Sequence, residues 1–365
     1  MKRFAVLALG VAGICTVLSG CASIGPGTVS RDRFDYTAAV ADSWKSQMLL
    51  NLVKIRYADA PVFLDVGQIV AGYSFQRNLS ATAGANLFHG SPPNDVSVGT
   101  FGLSGGGTLN DSPTVTYSPM TGERFARSLM MPIPPSVILN LIQAGSPVEE
   151  VFRTSVQSIN GVDNRRVGRL YVRRANPEFY ALLSNLERLQ LSGDIGMRVQ
   201  QVDKEAKLNM IFRPRIAAAE ENALRNATKI LGLDPSVREF QVVYGAVSSN
   251  DKEIALLTRS ILEILTDIAS YITVPEAHVA ERRVRPTPEG DIGPNGPMSP
   301  LIRITSSTER PVDAFVAVPY LGYWFFIDNQ DLSSKQMFSS IMFLFTFVET
   351  GSKEAAPVLT IPTTR

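Results

Sequence analysis

Between Tyr73 and Phe88 the chain alternates with a period of two. Tyr73, Phe75, Leu79, Ala81, Ala83, Ala85 and Leu87 hold odd positions, with Arg77 the exception. The even positions are Ser74, Gln76, Asn78, Ser80, Thr82, Gly84 and Asn86, all small or polar. Successive strand residues face opposite sides of a sheet, so the pattern predicts one long strand with an apolar and a wet face. Pro92-Pro93-Asn94-Asp95 makes a turn, and Val96 to Leu109 returns as a glycine-rich partner strand. Its apolar phase slips, since Val96 and Val98 are even while Phe101, Leu103 and Leu109 are odd, and this predicts a bulge near Thr100. Gly105-Gly106-Gly107 weakens the return strand further.

The rest of the chain is mainly helical at first. Val40, Trp44, Met48, Leu52 and Ile55 recur at helical spacing and predict an amphipathic helix over 35–57, followed by a strand over 63–71. Ser118-Pro119 reads as a helix start, and Ser136 to Ala144 as a second helix ending at Gly145. Ser146-Pro147-Val148-Glu149 reads as a capping box opening a third, and Asn176-Pro177 starts a fourth that closes at Gly193. A hairpin is expected over 195–202 and 207–212, a helix over 216–231 and a strand over 240–247. Leu256, Leu257, Ile261, Ile264, Leu265 and Ile268 predict one long helix over 250–271. Residues 284–300 are proline- and glycine-rich and read as a mobile loop. Strands are then expected over 301–304, 314–318, 322–327 and 358–361, with a buried helix over 334–348.

The chain begins with Lys2 and Arg3, runs apolar from Phe4 to Val17 and closes on Leu18-Ser19-Gly20-Cys21. A basic start, a short apolar run and small residues are the marks of a secretory signal, and the run is too short to span a bilayer as a helix. The last four residues resemble the lipobox of bacterial lipoproteins. The resemblance implies cleavage before Cys21 and lipidation of its sulfur, with diacylglyceryl and palmitate chains as the anchor. It also implies, from Ala22 in place of an aspartate, an outer-membrane and periplasm-facing address. Cys15 would be lost with the leader, so the mature chain would have no disulfide, thiol nucleophile or cysteine metal ligand.

Removing 20 residues from 365 leaves 345, enough for two domains or one large body. The leader takes two of the 35 basic residues, leaving 33 against 34 acidic ones. A near-neutral balance argues against a dedicated nucleic-acid or strongly anionic partner. The local basic groups Arg165-Arg166, Arg169, Arg173-Arg174 and Arg282-Arg283 with Arg285 read as solvated faces or carboxylate partners.

Motifs for chemistry are sparse. His89 sits beside a turn and His278 in a short helical segment after Pro275, with no serine elbow or carboxylate pattern near either. No histidine–carboxylate spacing suggests zinc, and no cofactor is expected. Ser249-Asn250-Asp251-Lys252 has the spacing of a serine nucleophile with a lysine base, but Asn250 and Glu253 read better as a helix cap. Gly102 to Gly107 lacks the lysine and the following helix of a phosphate loop. Glu149-Glu150 and Glu220-Glu221 fall in the first turns of helices, where they complement the dipole. Tyr320, Tyr323, Trp324, Phe325 and Phe326 read as core at strand spacing.

The sequence therefore predicts an α+β protein: a signal peptide over 1–20, a lipidated tether over 21–34, a helix and antiparallel β lobe over 35–118, and an α+β body over 119–365. The functional expectation is a non-enzymatic structural or interaction component of the cell envelope. It would be held to the membrane by Cys21 and would work with an envelope protein partner. One alternative is a subunit of an oligomeric β-barrel pore or channel built from residues 73–109, with copies of the chain as partners. A second is an envelope hydrolase.

Overall fold

The computed structural model describes residues 24–70, 73–88, 96–111, 113–168, 172–202 and 205–346. The leader, Cys21, His89, Arg169 and the expected strand at 358–361 lie outside the described residues. The protein is α+β, with two compact units. Of the described residues, one takes those of 64–118 with 24–41, and the other takes Asp42–Phe63 with those from 119 to 346. Helix α1 runs from Ile24 to Arg56.

Apart from the first part of α1, the first unit is a two-stranded ribbon. Strand β1 (Leu64–Val70) leads into β2 (Tyr73–Phe88); β3 (Val96–Asp111) returns into β4 (Thr114–Pro119). β2 pairs with β3 and β1 with β4, each pair forming a sheet of its own. The β2–β3 register is unbroken from Tyr73 opposite Asp111 to Phe88 opposite Val96, so the expected bulge near Thr100 is absent. The reason is visible in the pairing. Val96 meets Phe88, an apolar pair at the even positions of the tip, whereas Val98 is set opposite the polar Asn86. The slip thus changes which face carries an apolar side chain without changing the pairing, and no inserted residue is needed. β4 also runs through Ser118-Pro119, where a helix start was expected; helix α2 (Glu123–Met130) begins only after Gly122 at φ +96°. Proline is accommodated at the strand's end, where its missing N–H costs no ladder bond.

The second unit has a continuous hydrophobic core. From α1 it takes Met48, Leu49, Leu52 and Val53, and the buried Asn51 clamps Val62 by accepting from its N–H (2.9 Å) and donating to its carbonyl (2.8 Å). Helix α3 (Pro135–Gln143) ends before Gly145 at φ +101°. Helix α4 (Val148–Ser155) has Pro147 rather than Ser146 at its cap, with no side-chain cap bond, so the expected capping box does not form. Gln190, 42 residues away, replaces it by accepting from the Val148 N–H (2.9 Å).

Strands β5 (Val156–Ile159), β6 (Val162–Asp163), β7 (Arg166–Val167) and β8 (Val172–Arg173) are short. Helix α5 (Pro177–Leu191) starts at Asn176, whose side chain accepts from the Glu178 N–H, as the sequence predicts. The hairpin β9 (Ile195–Val202) and β10 (Glu205–Phe212) follows, then α6 (Ala218–Leu231), closed by Gly232 in the left-handed conformation. Strands β11 (Glu239–Tyr244) and β12 (Glu253–Thr258) complete a six-stranded sheet of order β6-β5-β12-β11-β10-β9. β11 and β12 are parallel and their other neighbours antiparallel.

β12 overturns the long helix expected over 250–271. Residues 253–258 are a strand, and helix α7 (Ile261–Ser270) begins afterwards at a true capping box of Ser260 and Glu263. A wholly apolar run reads equally as a buried strand or one side of a helix, and here it is a strand covered on both faces. The Asn250–Glu253 cap is lost with that helix: Asn250 accepts instead from the Lys252 N–H, in a turn.

Helix α8 (Glu276–Ala280) leads into the proline- and glycine-rich segment. The mobile loop expected over 284–300 is tied down. The buried Asp291 accepts from the Tyr180 hydroxyl (2.7 Å), and β13 (Ile292–Gly293) pairs with β14 (Gly296–Pro297). Residues 301–304 are not a strand; β15 (Thr305–Ser307) follows them and joins β16 (Ala314–Tyr320) and β17 (Tyr323–Asp328) in the order β15-β17-β16. Asp331 caps the last helix, α9 (Leu332–Phe345).

Candidate functional site

The ribbon is the most unusual element of the described chain. At about 3.4 Å per residue, the 16 residues of β2 extend about 50 Å. They pair on one side only, leaving both outer edges of the β2–β3 sheet open among the described residues. The even positions whose exposure is described, Ser80, Thr82, Ser104, Gly106 and Thr108, are all exposed. Ser80 and Ser104 share a hydroxyl–hydroxyl bond of 2.7 Å across the strands. Toward the base, Leu64, Val70, Val115 and Tyr117 are exposed apolar residues on β1 and β4.

Two open edges of this length are a chemical statement. An isolated hairpin is marginal in water, and each open edge offers a row of unpaired N–H and C=O groups to another strand. Natural edges are usually shortened, charged or bulged, yet β2–β3 is long and unbulged, and its even face is uncharged.

The residues singled out for chemistry do not meet. His278 is buried and shares a 2.7 Å hydrogen bond with the Tyr57 hydroxyl, with the Tyr323 ring 4.9 Å away. Burial, more than any neighbouring charge, pushes the Tyr57 phenol up to about 12. Neither serine nor carboxylate joins the pair: the nearby Asp59 accepts from the Tyr320 hydroxyl instead (3.1 Å). Ser249 and Lys252 lie in an exposed turn, where the Ser249 N–H donates to Glu253 (3.2 Å). Gly102–Gly107 lies within β3 and feeds no helix. Glu149 pairs with Arg153 (3.1 Å) and Glu221 with Arg238 (3.0 Å), each as a helix first-turn residue with a structural partner. In the aromatic group Phe325 is fully buried in the core, while Tyr320 and Tyr323 pack against it.

The basic groups divide. Arg173 pairs with Asp163 (2.7 Å) and Arg174 with Glu289 (2.5 Å) at the surface. Arg165 is 3 % exposed and lies over the Tyr271 ring. It shares Asp267 with a second buried arginine, Arg259, at 4.0 Å and 3.0 Å respectively. Arg259 also donates to the carbonyls of Thr154 and Arg165, stitching α4, the β6–β7 connection and α7 together. Sequence reasoning missed Arg259 and Asp267 because, although they pair with each other eight residues apart, the groups that bury and complete the cluster, Arg165 and the Thr154 carbonyl, lie about a hundred residues away.

No group of three or more metal-ligating side chains occurs among the described residues. Among them, no helix is long and apolar enough to cross a membrane. A comparison with protein-family models, curated proteins and solved structures finds no match.

Proposed function

We propose that this protein is a lipid-anchored, non-enzymatic subunit of the outer membrane whose ribbon pairs with the ribbons of further copies to close a β-barrel. The observation that carries this reading is the sixteen-residue β2–β3 register, unbroken and open on both edges. Closing a barrel removes edges altogether, and in lipid it is the arrangement by which strands satisfy every backbone group. At the usual tilt of about 40°, a strand about 50 Å long rises about 40 Å, enough for a hydrocarbon core of about 30 Å.

The residue pattern supports the same reading. Odd positions from Leu79 to Leu87 are apolar over nine residues, matching the 9–11 that a membrane-spanning strand needs. Arg77 falls just outside that stretch, toward the Tyr73–Phe75 end, where a long cation reaches the interface and aromatic residues form a girdle. The even positions would line the lumen with serine, threonine, asparagine and glycine. Cys21, lipidated as its lipobox resemblance implies, would hold each copy at the membrane, since two or more acyl chains anchor stably.

The test uses the full-length protein purified in detergent. Rings by electron microscopy and stepwise conductance in planar bilayers are expected, and Thr82→Pro, which removes a backbone donor at mid-strand, abolishes both. A wild-type protein that stays monomeric and never conducts overturns the reading.

A further inference from the structure

A second feature lies wholly within the body. A cleft of about 1010 Å³ opens between the end of α1, the face of α7 and the chain leaving α8. Its apolar wall includes Val167, Leu262 and Val279, and Arg56, Arg282, Arg283 and Arg285 also line it. Four guanidiniums there face few carboxylates. Arg283 pairs with Glu281 (2.5 Å), and Asp59 is engaged by Tyr320 (3.1 Å). Arg56, Arg282 and Arg285 have no carboxylate partner among the described residues. Arg56 donates from Nη2 to the Arg285 carbonyl (2.7 Å), while its buried Nε has no partner. Burial also draws the Arg56 guanidinium below its ordinary range, as expected for a desolvated cation without a counter-ion.

Arg282 supplies an independent sign. It sits at φ +58°, directly after the helix cap Glu281. The Arg282 N–H donates to the Val279 carbonyl (3.0 Å) and the Arg283 N–H to the His278 carbonyl (2.9 Å). This is the Schellman closure of a helix, whose left-handed residue is usually glycine because a Cβ there is strained. Placing a long cation at that position sacrifices stability and sets a guanidinium at the rim of an already cationic cleft. Strain retained at one residue points to a role for its side chain.

We propose that this cleft binds a phosphate-headed amphiphile, with Arg282, Arg285 and Arg56 receiving the oxyanion and Val167, Leu262 and Val279 the apolar group. The volume suits a ligand of lipid-fragment or drug size, and the planar guanidinium fork matches phosphate oxygens in pairs. The chemistry needs both halves. A free phosphate leaves the apolar wall wet, and a neutral lipid leaves the cations unpaired.

Calorimetric titration of the full-length protein in neutral maltoside micelles tests this, with dihexanoyl-phosphatidylglycerol as probe. Saturable binding is expected, with dihexanoylglycerol and glycerol phosphate each at least tenfold weaker. Arg282→Gly removes the cation while suiting the backbone, so it should melt higher than wild type and yet bind at least tenfold more weakly. Arg285→Gln should weaken binding in the same direction. Equal binding of the uncharged lipid or of free glycerol phosphate overturns the proposal, as does wild-type affinity in Arg282→Gly.

Discussion

The body and the ribbon solve the problem of backbone and apolar surface in opposite ways. The body buries Phe152, Phe179, Phe212, Phe240, Phe325 and Phe338 almost completely and even encloses an arginine–aspartate–arginine cluster. In the ribbon β4 is exposed along its whole length, β1 buries no residue, and neither outer edge of β2–β3 is paired among the described residues. No described side chain of 64–70 or 113–118 belongs to the core. A region with its partners inside itself is finished on folding. A region with open edges still offers backbone groups to a partner strand, which is why the association proposed above is placed in the ribbon.

Three substitutions or conditions sharpen that contrast, in decreasing order of effect. Asp267→Asn leaves Arg165 and Arg259 buried without their shared carboxylate, which is 5 % exposed. Breaking a buried pair from one side costs about 3–5 kcal/mol, measurable by urea denaturation. A loss below about 1 kcal/mol would show that water reaches the cluster and that the body is less closed than described. The next effect is alkaline. The Tyr57 phenol, raised by burial from 10.0 to about 12, holds its proton more tightly folded than unfolded. Its contribution is therefore whole below pH 10 and is lost as pH rises through about 12. Stability followed across that window should fall, and Tyr57→Phe should flatten the fall. The smallest effect belongs to the ribbon: Ser80→Ala removes an exposed hydroxyl bond and should shift the denaturation midpoint by no more than about 0.5 kcal/mol. A larger shift would mean that the Ser80–Ser104 bond contributes more than an exposed hydroxyl pair does.

Much of the architecture is legible in the sequence, wherever one local rule acts alone. Asn176-Pro177 starts α5, and Gly145, Gly193 and Gly232 lie at positive φ just after helices. The stripe Met48–Leu52 is buried as its spacing predicts. Errors fall where two rules compete or where the deciding partner is remote. Ser146 and Glu149 have the spacing of a cap, yet Gln190 supplies the acceptor. The run Ile254–Leu257 fits a helix in period, and a strand is chosen because β11 and β5 lie on either side to take its backbone bonds. The proline-rich segment has a loop's composition, but Tyr180 and Asp291 fasten it.

What the amino-acid order determines by itself is the ribbon. Alternation over 73–88 needs no distant partner to be read, because the pleat imposes a period of two on any strand, while the unbroken register with β3 shows only in the pairing itself. Only the tertiary structure decides the rest. It settles which apolar run is β12, and it gathers Arg165, Arg259 and Asp267 into one buried cluster. It also brings Arg56 to the arginines that follow α8. Those outcomes rest on burial and charge compensation between residues up to more than two hundred positions apart, and no local period records them.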